Sequence, residues 1–147
     1  MQLAIASDHA GFALKQALIP WLEAAGHAVH DLGTHGTDSV DYPDYGAALG
    51  RAIADGAAER GIAVCGSGIG ISIAVNRNPA ARCARVDDPL SAALARQHND
   101  ANVIALGARL IGEDMARACI TAFLATDFDG GRHQRRVEKL GKQGIPA

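Results

Sequence analysis

Short apolar runs alternate along the chain with longer stretches whose apolar positions recur at helical spacing. Five runs rich in Ile, Val, Ala and Leu stand out: LAIAS (3–7), HAVHDL (27–32), GIAVC (61–65), RCARV (82–86) and NVIAL (102–106). Their length and composition are those of strands. Between them, residues 12–25, 45–58, 70–76 and 89–97 read as helices, the last with Asp88 as N-cap and Pro89 at the first helical position. Beyond the fifth run, Met115, Cys119, Ile120, Phe123 and Leu124 keep a helical stripe. Strict alternation of strand and helix demands right-handed crossovers, and therefore a parallel sheet covered on both faces. The expected architecture is α/β: a three-layer Rossmann-like sandwich around a five-stranded parallel sheet. A C-terminal helical tail follows, TDFDGGRHQRRVEKLGKQG (126–144), where composition turns polar and basic.

Composition narrows the class. A chain of 147 residues with 48% hydrophobic content suits one domain over 1–147 with a sizeable core. Fourteen Lys+Arg against sixteen Asp+Glu, a formal charge of −2, leave no global basic field for nucleic acid and no acidic solubilising tail. Any anion site must be local. Three cysteines without a C-x-x-C pair, in a chain this large, argue against disulfide stapling and for a reducing cytoplasm. The start, MQLAIASDHAGF, lacks a basic n-region, and no apolar run approaches the ~18 residues of a membrane span. A soluble, cytoplasmic protein without a membrane partner is expected.

Open parallel sheets bind ligands beyond the carboxyl ends of their strands. Here those ends carry Ser7-Asp8-His9, Gly33-Thr34, Cys65-Gly66-Ser67, Asp87-Asp88 and Gly107-Ala108-Arg109. The chemistry is expected to collect on that one edge. In AVCGSGIGIS (63–72), Gly66, Gly68 and Gly70 allow a tight strand-to-helix turn that can aim backbone N–H groups and a helix amino end at an anion. A bare turn is the alternative. The loop has neither G-x-G-x-x-G spacing nor a Walker lysine, so a dinucleotide or nucleotide site is disfavoured. Cys65 directly precedes these N–H groups, which would favour its thiolate and make it a usable base or nucleophile. Its alternative is a small buried hydrophobe, the reading adopted for Cys83 within a strand and Cys119 on a helical stripe.

Six histidines raise the question of a metal. No H-E-x-x-H or clustered Cys/His spacing exists, and His27 and His30 fall on opposite faces of a strand. No metal and no cofactor are expected. His9, after Asp8, and His98, in RQHNDAN, end elements near the presumed binding edge and suit polar work, with a surface helix-end histidine as the other reading of His98. In the tail, Arg132 and Arg136 are four apart and share a helical face, with His133 beside them: a cationic patch fit for one phosphate, or a solvated basic face. Aromatic residues, at 4%, are too sparse for base stacking. A small phosphorylated metabolite is the favoured ligand.

These residues carry a family resemblance. SDHAGF (7–12), DYPDY (41–45), CGSGIGISIAVN (65–76), RQHNDANVIALGAR (96–109) and GGRHQRRV (130–137), collinear over nearly the whole chain, resemble the ribose-5-phosphate isomerase B family, which also holds allose and galactose phosphate isomerases. The resemblance implies a metal-free aldose–ketose isomerase that interconverts ribose 5-phosphate and ribulose 5-phosphate, a pentose phosphate pathway step, through an enediolate. It implies Cys65 as the base and His98 as the residue that opens the sugar ring. Asp8 is then a substrate contact, Asn99 a hydroxyl contact, and the loop Gly66, Ser67, Gly68, Ile69 and Gly70 the anion hole. His9, Arg109, Arg132 and Arg136 match positions around the phosphate. One branch of the family has a glutamate base just after the glycine loop; this chain has Ile71 there, so the cysteine assignment stands. The resemblance further implies a homodimer with active sites at the interface. Two alternatives are an isomerase of another sugar phosphate (allose 6-phosphate, galactose 6-phosphate or a tetrose phosphate) and a non-catalytic phosphosugar-binding module. Retention of both Cys65 and His98 argues against the second, since holding a ligand needs neither.

Overall fold

The computed structural model describes residues 1–142; the end of the tail, 143–147, lies outside the described residues. The chain runs β1 (Gln2–Ser7), α1 (Phe12–Ala24), β2 (Ala28–Asp31), α2 (Tyr42–Ala54), β3 (Arg60–Cys65), α3 (Ile69–Asn76), β4 (Cys83–Arg85), α4 (Pro89–Asn99), β5 (Val103–Gly107), α5 (Glu113–Ala125) and α6 (Arg132–Lys142). All strand pairs are parallel, in the order β2-β1-β3-β5-β4. The strands and the helical tail agree with the expected α/β architecture. Among the described residues no helix is long and apolar enough to cross a membrane.

Alternation along the strands sorts two cores. Leu3, Ile5, Ile62, Val64, Ile104 and Leu106 face one way and pack with residues of α1, α4 and α5, including Leu18, Leu22, Cys119, Ile120 and Phe123. Their neighbours Ala4, Ala6, Ala63, Cys65, Val103 and Ala105 face the other way, against Leu49 of α2 and Ile71 and Val75 of α3. Each large side chain that is fully removed from water contributes about 1.5–3 kcal/mol, so the bulky face anchors the sheet. The alanine face instead brings α2 and α3 close. A Cβ added at Gly46 of α2 would lie 2.6 Å from the Ala74 Cβ of α3, too near for any side chain.

Two helices differ from expectation by more than one residue at an end. The second, expected over 45–58, spans Tyr42–Ala54. Pro43 serves the first turn, and Gly56, at φ 71°, turns the chain out of the helix before β3. The fourth was read to residue 97 but continues to Asn99, where Asp100 at φ 45° takes the left-handed cap position. Its expected start holds: the Asp88 carboxylate accepts from the Ser91 N–H at 2.8 Å, which also depresses the Asp88 pKa.

The order places the topological switch between β1 and β3, since α1 carries the chain to one side of β1 while the later crossovers lie on the other. The carboxyl ends of these two strands are adjacent, with Ser7 opposite Val64. Asp8 and Cys65 therefore meet where a doubly wound sheet opens a crevice.

Candidate active site

Cys65 ends β3 and is buried. Gly68 caps α3 at φ 76°, and its N–H donates to the Cys65 Sγ at 3.1 Å. Only glycine fits there: the φ is left-handed, and a Cβ would stand 3.0 Å from the Leu106 carbonyl carbon. With the positive end of α3 behind this N–H, negative charge arising beside the sulfur meets a fixed donor.

The neighbouring strands hold this loop. The Ala108 N–H donates to the Cys65 carbonyl at 2.9 Å, and the Arg109 N–H to the Gly66 carbonyl at 3.0 Å. Arg85 Nε donates to the Ser67 carbonyl at 2.8 Å, and the Ile69 N–H donates to the Ser67 hydroxyl at 3.2 Å. Asp8 Oδ1 accepts from the Gly11 N–H at 3.0 Å, so its carboxylate has a defined orientation. The His9 Nδ1 accepts from the Val40 N–H at 3.1 Å, which leaves Nε2 as the donating nitrogen of the neutral ring. A cavity of about 280 Å³ is lined by Asp8, Tyr42, Cys65, Gly66, Ser67, Gly70, Arg109 and Leu110. Tyr42 and Leu110 received no role from the sequence, although Tyr42 lies within the quoted DYPDY. The signal was proximity: a Cβ at Gly70 would strike the Tyr42 ring at 2.6 Å, so the glycine admits the ring.

The other two cysteines do not line this cavity. Burial pushes the Cys83 thiol up to about 12 and the Cys119 thiol up to about 11. Both stay protonated at neutral pH. Cys119 is fully buried in the core, as expected.

The expectation of a single chemical edge fails for the second half of the candidate residues. His98 and Asn99 end α4, which returns antiparallel to the strands, so they lie at the amino edge of the sheet beside the starts of β4 and β5. Asn99 lines a separate cavity of about 660 Å³ with Asn76, Arg82, Cys83 and Ala101. The reading of His98 as near the binding edge mistook a helix end for a strand end. The tail joins it there. Arg96 Nε donates to the Thr126 carbonyl at 3.2 Å and the Asp129 N–H to the Gln97 carbonyl at 3.1 Å, strapping the α5–α6 connection to α4. The His133 ring of α6 stacks on His98 with centroids 4.4 Å apart. Arg132 and Arg136, on the same helix, thus stand with His98 and not with the Cys65 cavity. Asp129 joins the two histidines: the ligand atoms of His98, Asp129 and His133 all lie within 4.8 Å of one another. The spacing argument against a metal could not see this cluster, because two distant segments assemble it.

The chain is similar to proteins of known name. The family described as Ribose/Galactose Isomerase matches residues 3–140. The ribose-5-phosphate isomerase B of Escherichia coli is 42% identical over 139 residues, covering 95% of this chain and 93% of the relative. The D-erythrulose-4-phosphate isomerase of Pectobacterium atrosepticum is 41% identical over 142 residues, covering 96% and 93%. Among solved structures, ribose-5-phosphate isomerase B of Clostridium thermocellum superposes with a TM-score of 0.95 at 45% identity, covering 97% of this chain and 96% of that one.

Proposed function

Since this chain belongs to the ribose/galactose isomerase family, we propose that it is an isomerase that interconverts ribose 5-phosphate and ribulose 5-phosphate through an enediolate, acting as a single domain over its whole length. The observation that carries the chemistry is the Cys65 sulfur, facing the Gly68 N–H at 3.1 Å in a cavity shared with Asp8 and Arg109. The thiolate takes the proton from C2 of the open-chain aldose and returns it to C1, while the hydroxyl proton passes from O2 to O1. The enediolate formed between these steps places negative charge on oxygen, which the N–H groups of the 66–70 loop and the α3 amino end stabilise more than they stabilise the neutral sugar. Asp8, with its fixed carboxylate, accepts from a sugar hydroxyl. The residue just after the glycine loop supports this choice of base: Ile71 is fully buried in the core and has no proton acceptor.

The remaining functions need the amino-edge residues. His98 opens the sugar ring, Asn99 contacts a hydroxyl, and Arg132 and Arg136 hold the phosphate together with His9 and Arg109. The separation of His98 and Asn99 from the Cys65 cavity supports a two-fold dimer in which the amino edge of one chain completes the carboxyl-edge cavity of its partner. Each dimer then has two composite sites.

Proton nuclear magnetic resonance in deuterated water tests the reading. Ribose 5-phosphate should convert to ribulose 5-phosphate with solvent deuterium entering at the transferred position, and Cys65→Ala should lower the rate by about 10² to 10⁴, the usual contribution of a general base. Near-normal turnover in Cys65→Ala would remove the base assignment. The Pectobacterium relative's name favours one further reading, a four-carbon sugar phosphate as substrate. A panel of ribose 5-phosphate, allose 6-phosphate, galactose 6-phosphate and erythrose 4-phosphate separates the two by kcat/KM. Binding without turnover of any member would instead indicate a phosphosugar-binding module.

A further inference from the structure

The cluster at the amino edge contains a ligand set of which the proposed isomerase chemistry uses only His98. His98 comes from the end of α4, Asp129 from the α5–α6 connection and His133 from the first turn of α6. Three independent constraints bring them together. The Asp129 N–H is tied to the Gln97 carbonyl, the His133 N–H donates to the Gly130 carbonyl at 3.0 Å, and Gly130 and Gly131 at φ 65° and 55° make a turn that other residues rarely adopt. Two imidazoles and one carboxylate with an open fourth position are the donor set of a zinc site that keeps one coordination position free.

We infer that His98, Asp129 and His133 form a binding site for a divalent transition-metal ion of the zinc type, and that the ion reversibly inhibits the enzyme. The inhibitory part rests on the proposed role of His98 in ring opening. A metal bound to either nitrogen of the His98 imidazole leaves the ring unable to accept a proton at one nitrogen while holding one at the other, so the bound ion and acid–base ring opening exclude each other.

The geometry needs a small adjustment. Tetrahedral bonds of about 2.0–2.1 Å hold ligand atoms ~3.3 Å apart, whereas here they are spread over as much as 4.8 Å. Asp129 is exposed and both histidines are partly exposed, so their side chains can close the difference without moving the core. Arg132 and Arg136 oppose a cation, but both are exposed and their charges are screened by water and salt. Desolvation, followed by the charges of His98, Arg132 and Arg136, holds the His133 pKa below its ordinary value.

Cobalt(II) is the probe, because it takes the place of zinc and absorbs visibly when bound to nitrogen and oxygen ligands. It is titrated into full-length Cys65→Ala protein, in which a bond to the active-site sulfur cannot form. A saturable d–d band at one ion per chain is expected, without a sulfur-to-metal charge-transfer band. Asp129→Asn and His133→Ala should each weaken binding by at least about tenfold, since even the outer partners of metal ligands are worth that much. His35→Ala, a change at a histidine whose side chain is 72% exposed and which lies outside the cluster, should leave binding unchanged. In the otherwise unaltered enzyme, zinc should inhibit turnover, chelator should restore it, and Asp129→Asn should require a correspondingly higher zinc concentration. Absence of the band, or equal affinity in Asp129→Asn and His133→Ala, would overturn the site. Stoichiometric binding that leaves turnover unchanged would overturn the inhibition and the ring-opening role of His98 together. Loss of the site with isomerase activity intact would leave the proposed function standing.

Discussion

Mixing two inactive variants tests whether the active site is shared between subunits. Cys65 sits at the carboxyl end of β3 and His98 at the end of α4 beside the amino end of β5, so the sheet itself separates them. The five residues of β5, at about 3.3 Å each, put ~16 Å between its edges, and reacting groups must approach to about 3–3.5 Å. If both act on one sugar, as proposed, they must come from two chains. Cys65→Ala and His98→Ala chains, each purified and nearly inactive, are unfolded together in equal amounts and refolded. Random pairing makes about half of the dimers mixed, and each mixed dimer holds one site with both substitutions and one with neither. Turnover should return to about a quarter of the unaltered enzyme's value. Against parent variants lowered ~10²-fold or more, that is a rise of about 25-fold or more, well outside assay error. Refolded single-variant controls fix the baseline. A mixture whose rate stays at the mean of its parents would refute the shared site, because if both residues came from one chain every site would remain defective.

Other outcomes follow from particular contacts. Lys15 is fully buried and donates to both carboxylate oxygens of Asp31 at 2.7 Å, so Lys15→Ala strands a charge and should cost about 3 kcal/mol in urea unfolding; the cost lies at the low end for buried pairs because the Asp31 side chain is 25% exposed. A loss below about 1 kcal/mol would show that water already satisfies Asp31. Gly107→Ala would put a Cβ 2.7 Å from the Ser67 backbone, which cannot yield as a flexible side-chain tip could. It should destabilise by about 1–3 kcal/mol and lower kcat by shifting the 66–70 loop; wild-type kcat would argue that the loop tolerates displacement. If Arg136 holds the non-reacting phosphate equally in ground and transition states, Arg136→Ala should raise KM more than it lowers kcat, and a pure kcat defect would show that phosphate binding drives positioning instead. Prolonged chelator treatment should leave isomerase activity intact; a loss that added metal restores would reveal an essential ion.

Much of the fold is local in origin, and local patterns are legible in a sequence. The five strands and the alternation with helices came from composition and period alone, and the Asp88-Pro89 start of α4 from the chemistry of an unpaired helix end. Boundaries were less legible. The second helix shifted because Gly56 could be recognised as its exit only from a backbone angle, and a glycine inside an alanine-rich run carries no such mark. The Cys65 loop was readable for a related reason: a cysteine before alternating glycines concentrates its signal within a few adjacent residues.

By itself the sequence determined the family and the doubly wound class, and it named candidate side chains for acid–base chemistry and phosphate binding. Only the tertiary structure decided which of them meet. Sequence motifs mark the ends of elements, but a crossover helix runs opposite to its strands. His98, a few residues before β5 in the chain, therefore stands at the sheet edge opposite Cys65. The same return path brings Asp129 and His133 against His98 across a gap in sequence that no motif spans. Proximity of this kind is set by packing: two glycines turn the tail, two hydrogen bonds strap it to α4, and the buried sheet keeps Cys65 and His98 apart.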